Sequence, residues 1–164
     1  SAEAMRDIVW LIDSGSATLG DLVAKMREAA DRILGDRMTL EVEPEEIPDR
    51  ELSLLFRRHA LFSFKVALNN VRKQAGEARA QVRIAVARGK LFFEVADNGR
   101  GFDLDARLGT GHGLKNLQQR AQRLNGTCEI DSRLDHGTAI RFTAPLTRTI
   151  HVGRDGERNA GLAG

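Results

Sequence analysis

The sequence has almost no cysteine: Cys128 is the single thiol among 164 residues. One cysteine excludes an internal disulfide and any zinc site built from several cysteines, and it fits a reducing compartment. Long apolar runs are missing too, so no stretch is long enough to span a membrane, and no signal-peptide pattern opens the chain. We therefore predict a cytoplasmic chain.

An excess of charge of either sign is also missing. The chain has 25 lysines and arginines against 23 aspartates and glutamates, for a formal net charge of +2. The arginines are scattered along the sequence, so nothing indicates direct nucleic-acid binding or attachment to a membrane surface. With 41% hydrophobic and 29% charged residues, the composition predicts one globular domain with a small appendage.

Helical apolar spacing is present in four segments of the chain. The first, AEAMRDIVWLID, is broken by DSGS, and the second begins at Thr18, where Asp21 three residues later predicts a capping box. Gly35 is predicted to end this second helix. The third covers residues 50–75, and the fourth, HGLKNLQQRAQRLNG, is predicted to end with Gly126 as its C-terminal cap.

Alternating apolar and polar residues predict five strands, namely MTLEVE, QVRIAVA, KLFFEVA, TCEIDSR and TAIRFTAPL. Arg88 and Gly89 predict a hairpin turn between the second and third strands, and LDHG joins the last two. Strands in hairpins, with helices gathered on one face, predict an α+β fold: a two-layer α/β sandwich with a mixed, mostly antiparallel sheet.

An aspartate ends an apolar strand in VADNGRGFD, residues 95–103. A carboxylate at the edge of a core strand is costly unless it is paired, and the exocyclic amine of adenine would be a suitable donor. Gly99 and Gly101 would then let the backbone lie flat against the base. An ordinary turn after Asp97 explains the same residues, so this stretch alone does not decide between the two.

Three alternating glycines precede a helix in GTGHGLKN, residues 109–116. Free amides at the positive end of a helix favour phosphate. Leu114 stands where the dinucleotide fingerprint has its third glycine, and no Gly-Lys-Ser/Thr follows, so neither that fingerprint nor a P-loop is present. A merely flexible loop is the alternative.

Two adjacent asparagines interrupt the apolar spacing of KVALNNVRKQA, residues 65–75. Asparagine is a mediocre helix former, so the pair needs a reason. Val66, Asn70 and Gln74 fall on one helical stripe. The amide oxygen of Asn70 could supply one of the one or two protein oxygens that Mg²⁺ usually takes. The alternative is a polar residue on a solvated face.

Together these stretches resemble the ATP-binding catalytic domain of bacterial sensor histidine kinases, in the superfamily shared with gyrase, the ninety-kilodalton heat-shock chaperones and mismatch-repair ATPases. Within it, the sequence looks most like the group paired with helix-turn-helix response regulators. The resemblance covers residues 38–146. It implies a Bergerat-type sandwich that uses ATP and Mg²⁺, with ATP held between the long helix and a mobile lid.

The resemblance also implies roles for particular residues. Asn70 would be the Mg²⁺ ligand, Asp97 would recognise adenine, and Lys73 would approach phosphate. It assigns no catalytic residue. The other nucleotide-binding residues that it implies are Gly99 and Gly101, then Gly109, Gly111, His112, Gly113 and Leu114 in the lid, and finally Gly137 and Thr138.

The domain organisation follows from the same resemblance. Residues 1–35 would be a helical remnant of a dimerising region, residues 36–147 the ATP-binding domain, and residues 148–164 a disordered tail with few apolar residues. A first residue of serine rather than methionine suggests a piece of a longer protein, which could be membrane-anchored and homodimeric.

The phosphoacceptor histidine of such kinases is followed by an acidic residue, and none of the chain's histidines has that context: His59, His112, His136 and His151. The resemblance therefore implies a phosphoacceptor helix upstream of these residues and a response regulator as partners. It also implies that the isolated chain is inactive in autophosphorylation.

Two positions depart from the family pattern. Val66 stands where a glutamate is usual, and Gln74 stands where a histidine is usual. A positioned base contributes about 10²–10⁴-fold in rate. The change at Val66 either impairs catalysis or is tolerated because the imidazole of an incoming histidine is already nucleophilic. A nucleotide-binding module without turnover is therefore a second interpretation, and a protein-binding domain that has lost the ligand is a third, which the retained Asn70 and Asp97 disfavour.

Overall fold

The computed structural model describes residues 2, 5, 18–74, 78–102 and 112–146. Between residues 18 and 146 the described part contains three α-helices and five β-strands. In chain order these are α1 (Leu19–Leu34), β1 (Met38–Glu43), α2 (Leu54–Gln74), β2 (Ala80–Ala87), β3 (Lys90–Asp97), α3 (His112–Arg123), β4 (Thr127–Ser132) and β5 (Thr138–Pro145). A 3-10 turn, Gly35–Arg37, joins α1 to β1. All five predicted strands are confirmed.

The strands form one sheet in the order β1-β2-β3-β5-β4. Only the β1 and β2 pair is parallel, which confirms the predicted mixed, mostly antiparallel sheet. The β2–β3 turn is made by Arg88 and Gly89, whose φ values of 55° and 72° are those of the predicted hairpin turn. At the other end of β3, the register places Asp97 between Ala80 and Thr138.

The helices pack on one face of the sheet, as predicted. Leu91, Phe93 and Val95 of β3 point to that face and are buried. Phe64 of α2 meets Phe93 edge-on, with ring centroids 5.1 Å apart, and Phe93 stacks on Phe142 at 4.8 Å. Aromatic pairs at these separations hold α2 against the middle of the sheet. The result is the two-layer α/β sandwich expected from the sequence.

The start of α1 is capped as predicted. The Asp21 amide donates to Thr18 Oγ1 at 3.2 Å, and the Thr18 amide donates to Asp21 Oδ2 at 3.0 Å. Leu22 and Met26 of α1 are fully buried in the same core as the sheet. The division into residues 1–35, 36–147 and 148–164 stays a prediction, but the core of the folded domain includes α1.

The start of α2 differs from the prediction, because the helix begins at Leu54 and not at Arg50. Ser53 Oγ accepts from the Phe56 amide at 3.1 Å, so the cap lies at Ser53. The Arg50 carbonyl instead accepts from the Leu19 amide at 2.7 Å. Residue 50 is therefore hydrogen-bonded to the start of α1, and the chain before Leu54 is not available to extend α2.

The end of α3 also needs a correction. Gly126 was predicted to be the C-terminal cap, but the residue with the left-handed conformation is the preceding Asn125, with φ of 58°. The Gly126 amide closes the last turn by donating to Ala121 O at 2.8 Å. A Cβ on Gly126 would lie 2.0 Å from Thr143 O, so this position must be glycine because the chain passes close to β5.

Charge is distributed unevenly over the two layers. The open face of the sheet carries alternating signs across one row of paired residues, Glu41, Arg83, Glu94, Arg141 and Glu129. Neither α2 nor α3 contains an aspartate or a glutamate, although together they contain eight lysines and arginines. Arginines that are scattered along the sequence are therefore grouped in space. Within the described residues, no helix is long and apolar enough to cross a membrane.

Candidate functional site

Asp97 is the last residue of β3 and continues the phase of the buried Val95, so its side chain points to the helix-covered face. Its Oδ1 accepts from the Gly99 amide at 2.8 Å. Burial raises the pKa of the Asp97 carboxyl above its ordinary value, while hydrogen bonds from the Gly99 and Thr138 amides act in the opposite direction. Burial is the larger effect, so the ionised carboxylate lacks part of the solvation that it would have in water.

Two glycines fix the backbone around Asp97. Gly137 has φ of +78°, and a Cβ there would lie 2.1 Å from Asp97 O. Gly101 has φ of +62°, and a Cβ there would lie 1.9 Å from Arg133 O. Both positions exclude a side chain because the segment after β3 packs directly on the β4–β5 connection. Whether Gly99 and Gly101 also lie against a base stays a prediction.

Ser132, which the sequence analysis did not identify, joins this corner of the site. Its Oγ lies 2.8 Å from Thr138 Oγ1 and accepts from the Phe102 amide at 3.0 Å. Both hydroxyl side chains are buried and their strands pair at these residues. The alternation of β4 could have placed Ser132 on the core side of the strand. Its hydrogen-bond partners could not be read from the sequence, because they come from distant segments that the sheet brings together. The Thr138 side chain is therefore held next to Asp97.

The two asparagines of α2 differ in their hydrogen bonding. Asn69 is satisfied on its own helix: its Nδ2 donates to Lys65 O at 2.9 Å, and its Oδ1 accepts from Arg72 Nε at 3.2 Å. Asn70 Nδ2 is buried and has no hydrogen-bond partner among the described residues. A buried amide without a partner costs about 1–3 kcal/mol. Of the pair, only Asn70 thus has a reason to need a ligand.

The direction of α2 places Asn70 at the Asp97 end of the sheet. Just before α2, Arg50 Nη2 donates to Leu146 O at 2.5 Å, and the Leu146 amide donates to Gly89 O at 2.8 Å. Gly89 is in the turn at the opposite end of β3 from Asp97. From there α2 crosses the sheet over Phe93. Its last turns therefore lie toward the Asp97 end.

The start of α3 lies beside Val66, one turn before Asn70. A Cβ on Gly113 would be 4.0 Å from Val66 Cγ1. The Leu114 side chain is buried in the core, so only its backbone is available to a ligand, and Lys73 is exposed. Of the predicted site residues, Gly109, Gly111 and the side chain of His112 lie outside the described residues, as does the side chain of Gln74.

A depression of about 430 Å³ lies behind this site, on the helix-free face of the sheet. Its lining includes Thr39, Gln81 and Ala96, which alternate with the buried side chains of their strands and so point away from the helices. Asp97 reaches it from the end of β3, but Asn70 does not line it. This depression is therefore separate from the predicted space between α2 and the sheet.

The donor set limits how a metal ion could be held. Among the described residues, no three His, Cys, Asp or Glu side chains come together as a metal site. Asn70 offers a single amide, and rotating it by half a turn about its last bond exchanges its oxygen and nitrogen. One protein oxygen is enough for Mg²⁺ when phosphate and water complete the shell. The residues present fit an ion that arrives with a phosphate ligand.

The family model described as "Histidine kinase-, DNA gyrase B-, and HSP90-like ATPase" matches residues 58–148, more than half of the chain. The match begins inside α2 and covers every later element, including Asn70, Asp97 and Gly137.

Full-length relatives include two proteins named sensor protein VraS. The one from Staphylococcus haemolyticus is 34% identical over 82 residues, which are 50% of this chain and 24% of VraS. The one from Staphylococcus epidermidis is 30% identical over 103 residues, 63% of this chain and 30% of VraS. The chain therefore spans between about a quarter and a third of the length of these relatives.

Solved histidine kinase structures share the fold. The histidine kinase domain of the blue-light-activated kinase from Erythrobacter litoralis has a TM-score of 0.59 and 21% identity, covering 77% of this chain and 60% of that domain. The catalytic domain of histidine kinase ThkA has a TM-score of 0.61 and 15% identity, covering 81% of this chain and 97% of that domain.

Proposed function

Because the chain belongs to the family of histidine kinase-, DNA gyrase B- and HSP90-like ATPases, we propose that it binds ATP through Asp97. The observation that carries the proposal is the half-buried carboxylate at the end of β3, whose pKa burial raises. The exocyclic amine of adenine supplies a further donor to this carboxylate. Gly137 and Thr138 hold the acid in place from the neighbouring strand.

Asn70 would hold Mg²⁺ at the phosphate end of the nucleotide. Its buried Nδ2 has no partner among the described residues. With the amide turned by half a rotation, its oxygen would occupy that position, and a bound cation would give it the missing partner. When bound, Mg²⁺ neutralises phosphate charge. Lys73 follows one turn later on α2, and Gly113 lies near Val66 at the start of α3. These residues would place the triphosphate between the two helices, near the amino-terminal end of α3.

The chain is homologous to sensor histidine kinase catalytic domains. In a longer protein, this domain would transfer the γ-phosphate of ATP to a histidine on a helix upstream, and a response regulator would receive it. The full-length protein would be a homodimer, and the isolated chain would not phosphorylate itself. Such transfer depends mainly on positioning and on stabilising charge, which the residues described above would supply.

A second candidate is a nucleotide-binding module without useful turnover, and Val66 favours it. Its partly buried side chain lies against the start of α3, one turn before Asn70, where a general base would stand. Valine has no proton acceptor. If a base is needed there, the domain would bind ATP and transfer phosphate slowly or not at all.

Thermal unfolding tests nucleotide binding. At one hundred times its dissociation constant, Mg-ATP should add about 2.7 kcal/mol to the free energy of unfolding. GTP is the matched control, because guanine presents a carbonyl oxygen where adenine presents its amine, and Asp97 would repel it. Absence of a shift with millimolar Mg-ATP, or equal shifts with both nucleotides, contradicts the proposal.

Phosphorylation in the full-length protein separates the two candidates. Labelled phosphate on an upstream histidine supports the kinase. A silent protein that Val66→Glu activates, and that the uncharged control Val66→Gln does not, supports the impaired form. If both variants are silent although Mg-ATP binds, neither the wild-type domain nor a restored base at residue 66 supports transfer, and only nucleotide binding remains.

A further inference from the structure

The outward side of α2 and α3 carries a group of arginines that have no acidic partner among the described residues. Arg120 Nη1 lies 3.0 Å from His59 Nδ1 across the two helices. Burial and then the charges of Arg120, Arg123 and Arg58 lower the pKa of His59. Within the described part of the chain, no carboxylate forms an ion pair with Arg58, Arg120 or Arg123.

Apolar side chains lie beside these arginines. Leu54 and Leu55 are each 51% exposed at the start of α2, one turn before Arg58. Phe62 follows Arg58 by one further turn, and its ring centroid is 5.4 Å from the guanidinium carbon of Arg120. Single exposed leucines are ordinary. Two of them lie next to an aromatic ring and to arginines with no acidic partner in the described part of the chain. Arginine and aromatic side chains are enriched at protein interfaces.

We propose that this patch binds an acidic, amphipathic helix of a partner protein. The patch consists of Leu54, Leu55, Arg58, Phe62, Arg120 and Arg123 and is called the arginine–leucine surface below. Charge complementarity selects the occupant: carboxylates of the partner pair with the arginines. The leucines require apolar groups on the same partner, and a helix presents both at spacings of three and four residues.

The arginine–leucine surface is separate from the proposed nucleotide site. It lies at the first turns of α2, which start near the Gly89 end of the sheet. Asn70 is 15 residues further along than Leu55, about 22 Å at the rise of an α-helix. Losing the arginines should therefore leave nucleotide binding unchanged, so the two proposals can fail independently.

Fluorescence anisotropy with a designed peptide tests the surface. The probe is a fluorescein-labelled helix of glutamate and leucine with leucines every three or four residues, and its twin has glutamine in place of glutamate. The 164-residue chain should bind the acidic peptide at least about tenfold more tightly than the twin. Added salt should weaken the acidic complex, because the arginines contribute through charge.

Paired charge reversals locate the binding. Arg58→Glu with Arg123→Glu should weaken the acidic peptide at least about tenfold. Arg27→Glu with Arg133→Glu changes the net charge equally at exposed positions elsewhere, and should leave affinity within about twofold. Leu54→Ser with Leu55→Ser should weaken binding even in high salt. Melting curves with Mg-ATP confirm that each variant is folded.

Several results would overturn the proposal. They are failure of the acidic peptide to bind, equal binding of the glutamine twin, or equal loss in the control pair, which would indicate bulk charge alone. Duplex DNA that binds more tightly than the peptide and is lost in the Arg58 and Arg123 variant would assign the surface to nucleic acid instead.

Discussion

The two halves of the proposed nucleotide site are built differently. At the end of β3, Asp97 accepts backbone hydrogen bonds, and Gly137 allows the neighbouring chain to approach where no Cβ would fit. On α2, Asn70 Nδ2 is buried with no partner among the described residues, although the side-chain nitrogen and oxygen of the adjacent Asn69 are each hydrogen-bonded. The protein itself fixes the position of the Asp97 carboxylate, whereas the buried Asn70 Nδ2 has no partner in the described part of the protein.

This difference assigns separate tasks to the two halves. A carboxylate held by strand register and close backbone packing has its position fixed before any ligand arrives, so it can discriminate between bases. A buried amide left without a partner destabilises the unliganded protein and recovers that cost on binding. We therefore expect mutations at the strand end to change folding or base choice, and mutations at Asn70 to change metal-dependent affinity.

The largest expected effect is the loss of folding stability in Gly137→Ala. The Cβ would lie 2.1 Å from Asp97 O, and φ is +78°. Gly89→Ala is the matched control, because its φ is +72° but nothing lies within 4 Å of the added Cβ. Left-handed backbone costs about 1–2 kcal/mol at either position, and the clash adds about 1–3 kcal/mol at Gly137 alone. Urea unfolding measures both, and equal losses would mean that the strand end is not rigid.

The next effect concerns Asp97→Asn, which should separate folding from binding. The amide oxygen can still accept from Gly99, but the buried charge is gone, so unliganded stability at neutral pH should not fall. The adenine amine loses its carboxylate, and affinity for ATP should drop about 10- to 100-fold. Calorimetric titration provides the affinity. Wild-type affinity in this variant would remove Asp97 from the proposed site.

A smaller effect, on the Mg²⁺ dependence of ATP affinity, is expected for Asn70→Ala. Asn69→Ala is its control. Removing the unpartnered amide should leave the unliganded protein at least as stable as before, because the cost of a buried donor is removed and alanine favours the helix by up to about 0.7 kcal/mol. The gain in ATP affinity on adding Mg²⁺ should disappear in Asn70→Ala and persist in Asn69→Ala. If both variants keep that gain, another group holds the ion.

Much of the fold follows from local patterns. Thr18 with Asp21 predicted the capping box, Arg88 with Gly89 predicted the hairpin turn, and alternation predicted all five strands. Each of these depends on neighbours within a few residues of one another, where period and capping chemistry are decisive. The start of α2 at Leu54 was missed because residues before it bond to the start of α1, more than thirty positions earlier.

The missed parts of the site depend on pairing between distant segments. Ser132 joins Thr138 and Phe102 only because β4 lies beside β5 and the chain after β3 folds back over both. The grouping of Arg58 with Arg120 likewise needs the packing of α2 on α3. The sequence led to the prediction that Asn70 and Asp97 belong to one site, which stays a prediction. It could not indicate that Asn69 would be hydrogen-bonded while Asn70 Nδ2 has no partner among the described residues.

The smallest expected effect is a pH dependence caused by Asp97, which should have opposite signs for the free energy of unfolding and for ATP affinity. Burial raises the pKa of Asp97 above 3.8, so the folded state holds this proton to higher pH than the unfolded state does. The contribution of Asp97 to stability is therefore complete below 3.8 and is lost as pH rises through the raised value. Asn has no such titration, so Asp97→Asn should gain stability relative to wild type over that interval.

Nucleotide affinity should change in the opposite direction over the same interval, because only the ionised Asp97 accepts freely from the adenine amine. Urea unfolding of wild type and Asp97→Asn at several pH values gives the first dependence, and ATP titration of the wild type gives the second. If stability falls with pH while ATP affinity rises, the ionised Asp97 carboxylate destabilises the unliganded domain and strengthens nucleotide binding. Parallel slopes, or a constant difference between the two proteins, would show that Asp97 is solvated well enough to need no ligand.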